Sequence, residues 1–249
     1  MFFKKKPEPQ DVQPAPEPAP AAPPTGAGIS LLKETARVSL EKRGLGGLRA
    51  AVYLVVDRSY SMAGYFRDGS VQHLADQALG LSAAVDDDGI VPLVFFDSQP
   101  YPVVDITLDQ HAGVVAQQHQ LLGGEDTMGG TRYSLAISTV LEHYQASGAT
   151  DPALVIFQTD GEPGDGVDAA QLLADAAPLP LFWAFVGFGA HTVTYLTELD
   201  QMPGREVDNA SYFHAGRSPK SLPDATVYDA ITGEFAKWLP QARAKGIVR

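Results

Sequence analysis

The sequence predicts an α/β fold: a three-layer, doubly wound, mostly parallel sheet with one antiparallel strand. Three observations carry this expectation. Short continuous apolar runs, A-A-V-Y-L-V-V (50–56), I-V-P-L-V-F-F-D (90–97), A-L-V-I-F-Q-T-D (153–160) and L-P-L-F-W-A-F-V-G-F-G (179–189), have the length and residue types of strands buried on both faces. Segments with helical spacing lie between them, and alternating strands and helices build a parallel sheet covered on both sides. Finally, Y-P-V-V-D-I-T-L (101–108) follows 90–97 after a Ser-Gln-Pro turn, close enough to be its antiparallel neighbour.

Taken in order, residues 7–28 place prolines at alternating positions, which removes backbone donors and favours an extended polyproline spacer. Residues 1–28 therefore read as a disordered tail. The mixed, charged stretch 29–47 reads as a lead-in segment with some extended structure. The folded domain is expected over 48–240. After the strand at 50–56, residues 71–85 put Leu74, Ala78, Leu81 and Val85 on one helical face. A helix around 110–122 precedes the Gly-rich loop 122–131, and further helices are expected at 133–144, 168–177, 192–201 and 227–239. A short strand is expected at 211–215, and 241–249 is expected to be a C-terminal tail. Trp183, within an apolar strand, and Trp238, on the closing helix, read as core.

Composition bounds the function. Of 249 residues, 45% are hydrophobic, enough for one sizeable core. The net charge of -12 argues against nucleic acid as a partner and suits a protein that collects divalent cations. The absence of cysteine removes disulfides and thiolate metal sites. No apolar run approaches the roughly 20 residues of a transmembrane helix, and M-F-F-K-K-K-P lacks the apolar stretch of a secretory signal. A cytoplasmic protein is expected.

Three polar clusters fall where strands end, and in such sheets the functional crevice lies beyond the carboxyl ends of the strands. Asp57, Ser59 and Ser61 follow the strand 50–56. G-G-T-R-Y places Thr131 at the mouth of the helix from Tyr133. Q-T-D-G-E-P places Asp160 at the end of strand 153–159. Each serine or threonine alone is an ordinary cap, and Asp160-Gly161 alone an ordinary turn. Together they offer two carboxylates and three hydroxyls, an all-oxygen set suited to Mg2+, with Ca2+ or Mn2+ as alternatives, and unsuited to zinc. Two carboxylates balance a divalent charge, and a position left open could accept a carboxylate from a partner.

D-R-S-Y-S after a strand, G-G-T before a helix and T-D-G-E after a later strand resemble the metal-ion-dependent adhesion site (MIDAS) of von Willebrand factor A (vWA) domains. The resemblance implies a Rossmann-like sheet flanked by helices. It also implies a metal held by Asp57, Ser59, Ser61, Thr131 and Asp160, and a module that binds protein partners and does not catalyse. With V-S-L-E-K-R-G-L upstream, the motifs look most like cytosolic bacterial vWA proteins associated with tellurium resistance, which implies calcium-binding stress proteins as partners. The intervening Arg58 and Tyr60 are expected at the rim of the site, adding bulk and positive charge. Tyr65, Phe66 and Arg67 either extend that rim or pack beneath it. Asp86, Asp87 and Asp88 read as the solvated end of a helix, since the spacing and terminal Glu of a calcium loop are lacking. The alternative function is an Mg2+-dependent phosphatase or other hydrolase on a similar sheet. The strand-terminal Asp57 resembles the nucleophile of haloacid-dehalogenase-like phosphatases, which typically place a second, acid/base Asp two residues later; here that position is Ser59.

Overall fold

At the centre of the molecule, β1 (Ala51–Asp57) lies parallel to β4 (Ala153–Thr159), each surrounded on both faces. The computed structural model describes residues 26–86 and 89–249. On one side of β1 come β2 (Val91–Phe96) and then the short antiparallel β3 (Val104–Ile106). On the other side of β4 come β5 (Leu181–Phe188) and β6 (Ala210–Gly216), both parallel. The six-stranded order is β3-β2-β1-β4-β5-β6, with the chain reversing direction of travel across the sheet between β1 and β4. The expected fold class is the observed one.

Alternating side chains serve two separate cores, as the two-residue period of a strand requires. Val52, Leu54 and Val56 join the core beneath α1 (Gly26–Lys42), α3 (Ser70–Val85), α4 (Val114–Leu121) and α8 (Asp224–Ala244). Tyr53 and Val55 join the opposite core beneath α5 (Tyr133–Ser147), α6 (Gly166–Asp175) and α7 (Thr194–Asp200). Leu74, Ala78, Leu81 and Val85 are all buried on α3, and Trp183 and Trp238 are both in the core. Among the described residues no helix is long and apolar enough to cross a membrane.

The expected lead-in with extended structure at 29–47 is instead largely α1, a helix of 17 residues. Its buried positions Ile29, Leu32, Ala36 and Leu40 recur at helical spacing and pack against α3 and α8. Gly80 makes the approach possible: a Cβ there would sit 2.7 Å from the Leu32 Cβ. The helix stops at Gly44, whose φ of 72° permits the paired closing bonds Gly44 N to Glu41 O and Leu45 N to Leu40 O. Of the expected tail 1–28, residues 1–25 lie outside the described residues and 26–28 belong to α1. Asp87 and Asp88 also lie outside them.

The expected C-terminal tail is corrected as well. The helix expected at 227–239 runs on through Pro240 to Ala244 as α8. A proline removes one backbone bond and crowds the preceding turn, but burial of Ala242 and Val248 favours continuation.

Candidate metal centre

The site is built where β1 and β4 end side by side. Val56 pairs with Gln158, so the next residues, Asp57 and Thr159, meet. The Thr159 hydroxyl donates to Asp57 Oδ2 at 2.5 Å, and the backbone N–H of Ser59 donates to Oδ1 at 2.7 Å. A single turn of 3-10 helix, Tyr60–Met62, then swings Ser61 back toward the strand ends. Its Oγ lies 3.1 Å from Ser59 Oγ and donates to Asp160 Oδ1 at 2.7 Å. Asp57, Ser59, Ser61 and Asp160 are thereby gathered into one patch, buried at Asp57 and open to solvent at Ser61.

Thr131 arrives on the second loop by backbone contacts. Gly129 forms a bridge with Ser59, its carbonyl accepts from Tyr60 N at 3.1 Å, and the Thr131 carbonyl accepts from Gly164 N at 2.8 Å. Gly130 N donates to Ser98 Oγ at 2.7 Å. A Cβ on Gly129 would lie 2.9 Å from Ser98 Oγ and 3.0 Å from Asp97 Cγ, so the first glycine of G-G-T is demanded by close approach. The following helix, α5, is capped by Asp165, which accepts from Tyr133 N at 3.0 Å and Ser134 N at 3.2 Å. Thr131 is thus held between the first and third loops. Among the described residues its hydroxyl makes no bond to the other four members of the set.

Electrostatically the patch is short of positive charge. Burial drives the Asp57 carboxyl up to about 7, and its hydrogen bonds from Thr159 and Ser59 only partly oppose this. Burial also raises Asp160, opposed by the bond from Ser61. Among the described residues neither carboxylate has an ion-pair partner, and no group of three or more His, Cys, Asp or Glu is assembled as a metal cluster. Two carboxylates and hydroxyl oxygens with no cation of their own fit a hard divalent ion better than they fit the metal-free state.

One rim expectation holds and one is overturned. Tyr60 is 74% exposed, but Arg58 is fully buried and points inward. Its guanidinium meets Asp97 Oδ2 at 3.0 Å, behind the site, because a buried charge needs a buried partner. Tyr65 and Phe66 pack beneath the loop, Tyr65 against Phe188 and Phe66 stacked on His119 at 4.3 Å between ring centroids. Arg67 is exposed and pairs with Glu125 at 3.0 Å. Sequence reasoning missed Arg58 as a buried anchor, along with Asp97 and Thr159; it placed Asp165 in a loop around the site but missed that it caps α5. Asp97 and Thr159 stand at strand ends like Asp57, and that shared position was the available signal. Nothing local distinguished Asp165 from a solvated loop charge.

A doubly wound sheet bearing D-x-S-x-S, Thr and Asp loops at its carboxyl edge has the architecture of a von Willebrand factor A domain. Residues 49–248 match the family model vWA-TerF-like, the vWA found in the TerF C terminus, and the chain belongs to that family. It is 29% identical over 226 residues to the uncharacterized protein YcbR of Bacillus subtilis, covering 90% of this chain and 91% of that one. Among solved structures, manganese-loaded TRAP protein of Plasmodium vivax is similar with a TM-score of 0.53 at 18% identity, over 76% of this chain and 74% of that one. The mussel byssus proximal thread matrix protein 1 with a zinc-occupied MIDAS motif is similar with a TM-score of 0.50 at 18% identity, over 74% of this chain. The chain spans just under half the length of the mussel chains it matches, 47% and 48%. At these identities the structural likeness establishes the fold.

Proposed function

We propose that this chain is a metal-dependent protein-binding module, in which a divalent cation held by Asp57, Ser59, Ser61, Thr131 and Asp160 bridges to an acidic side chain of a partner. The observation that carries the reading is the gathering of two carboxylates with no cation partner among the described residues: Asp57 is held by the Thr159 hydroxyl and the Ser59 N–H, and Asp160 by Ser61, whose Oγ meets that of Ser59. A bound cation would supply the missing positive charge and an electrophilic position for a carboxylate. Mg2+ is the ion we assign, with Ca2+ and Mn2+ able to use the same oxygens. Asp57 and Asp160 supply charge, while Ser59, Ser61 and Thr131 supply neutral oxygens that leave the cation undersaturated. Exposure of Ser61 keeps one side of the cluster accessible.

The motifs shared with tellurium-resistance proteins, together with the TerF-like family, support a cytoplasmic role in tellurium resistance or stress response, with acidic calcium-binding proteins of that system as partners. The domain is read as a binder and not an enzyme: Ser59 stands where a haloacid-dehalogenase-like phosphatase would hold its acid/base carboxylate, and its hydroxyl is engaged by Ser61. The test is calorimetric titration of Mn2+ and Mg2+ into the wild type and Asp57→Ala, followed by capture of an acidic partner with and without EDTA. Binding of metal and partner that survives Asp57→Ala unchanged sinks the proposal.

A further inference from the structure

Arg58 stands between two members of the proposed metal set, yet its side chain turns away from them into the body of the domain. Its two terminal nitrogens make six hydrogen bonds to two other pieces of chain. Behind β2 they reach Asp97 Oδ2 at 3.0 Å and the Tyr101 hydroxyl at 2.9 Å. In the second loop they reach the carbonyls of Leu122 at 3.1 Å, Gly124 at 2.7 Å and Thr127 at 3.1 Å, and the Thr127 hydroxyl. The Arg58 backbone N–H meanwhile donates to Phe96 O at 2.7 Å, pinning the first loop to β2.

Stability alone gives a weak reason for this arrangement. A buried ion pair is costly to desolvate, and apolar residues of similar volume are often as stable or more so. What a guanidinium supplies that an apolar side chain cannot is a rigid fork that satisfies several acceptors at fixed spacing. The acceptors here belong to the segment that leads into Thr131. Between Leu122 and Met128 the other bonds are local ones, from the Thr127 hydroxyl to the Leu122 carbonyl and from Met128 N to the Glu125 carbonyl, together with the exposed Arg67–Glu125 pair, while Gly129 and Gly130 are held separately at Tyr60 and Ser98.

Resting on the metal-site reading above, we propose that Arg58 is a positioning residue: it locks the second loop, from Leu122 to Thr131, against the first, so that Thr131 is presented to the same cation as Ser59 and Ser61. Asp97 completes the device. Its carboxylate is held by Arg58 and by the Tyr101 hydroxyl at 2.6 Å, while its backbone carbonyl accepts from Arg132 N at 3.2 Å, one residue beyond Thr131.

The experiment compares wild type, Arg58→Lys, Thr127→Val and Leu173→Ala, the last a buried position on α6 away from the loops. Lysine keeps a charge for Asp97 but cannot span both acceptor sets. Mn2+ affinity is read by electron paramagnetic resonance, stability by urea unfolding, and loop order by amide hydrogen exchange over residues 124–130 in the metal-free protein. The expected result is a loss of Mn2+ affinity of about 10- to 100-fold for Arg58→Lys, the size typical of supporting groups around a metal. Thr127→Val loses less, and exchange of the second loop quickens in both. Leu173→Ala loses stability and keeps its Mn2+ affinity. Wild-type affinity in both Arg58→Lys and Thr127→Val overturns the proposal, as does an equal loss of affinity in Leu173→Ala. If Arg58→Lys fails to fold, Thr127→Val decides. Absence of Mn2+ binding by wild type overturns the metal reading itself, while unchanged loop exchange in the metal-free variants overturns the locking role independently.

Discussion

Replacing Asp57 by asparagine should make the metal-free protein more stable at pH 8 and leave it no more stable at pH 5. Burial lifts the Asp57 carboxyl from its ordinary 3.8 to about 7, which at about 1.4 kcal/mol per pH unit is a cost of ~4 kcal/mol to the ionised form. The sign follows from the two states. Below 3.8 the acid is neutral in both folded and unfolded chains and affects nothing. From there to about 7 the unfolded chain ionises while the folded one does not, so stability falls as pH rises. Above about 7 the whole penalty stands, and asparagine is free of it. Against that, the asparagine NH2 must face one of the two donors, Ser59 N or the Thr159 hydroxyl, at a cost of about 1–2 kcal/mol. The net gain for Asp57→Asn in EDTA is therefore about 2 kcal/mol at pH 8. At pH 5 the penalty relieved is only about 1.6 kcal/mol and the gain vanishes. Urea midpoints at the two pH values, with EDTA and then with Mg2+, measure this. Mg2+ should raise the wild-type midpoint at pH 8 and leave Asp57→Asn unmoved. An Asp57→Asn protein less stable than wild type in EDTA at pH 8 would refute the reasoning.

Other consequences are equally open to measurement. Gly129→Ala drives a methyl group against Ser98 and Asp97, so calorimetric titration should show weakened Mn2+ binding alongside a stability loss of about 1–3 kcal/mol. Leu32→Ala, buried between α1 and α3, should cost about 2–4 kcal/mol in urea unfolding, whereas Leu31→Ala, its exposed neighbour, should stay within about 0.5 kcal/mol. Asp165→Ala removes the cap of α5 and should cost about 1 kcal/mol or more by the same measurement. Equal costs at Leu31 and Leu32 would contradict the packing of α1.

What the sequence made legible was set by periodicity and by the ends of strands. The buried strands announced themselves as apolar runs; polar clusters after two of them pointed to Asp57, Ser59, Ser61 and Asp160, and a Gly-rich cluster before a helix pointed to Thr131. The family match and the sheet order agree with that reading of the fold. The first helix was missed because Ala36, Val38 and Leu40 alternate like a strand, while its helical face of Ile29, Leu32, Ala36 and Leu40 is thinly populated between charges. The direction of Arg58 was illegible for a different reason. A charged residue beside a candidate metal site belongs in water unless a partner waits inside, and that partner, Asp97, stands just beyond the end of β2. Local sequence states what a side chain is; only the side-by-side pairing of β1 and β2 states what it faces.

The helix α1 lies wholly before residue 49, where the family match begins. The portion matched by the family and the portion packed into the fold therefore differ by one helix. A chain begun at residue 49 would keep every proposed metal ligand and lose the cover over α3. The notch at Gly80, shaped to accept Leu32, would then face solvent as a bare apolar seam. Such a fragment should stick to itself before it could be asked whether it binds anything else, and a null result from it would report on solubility rather than on the metal centre.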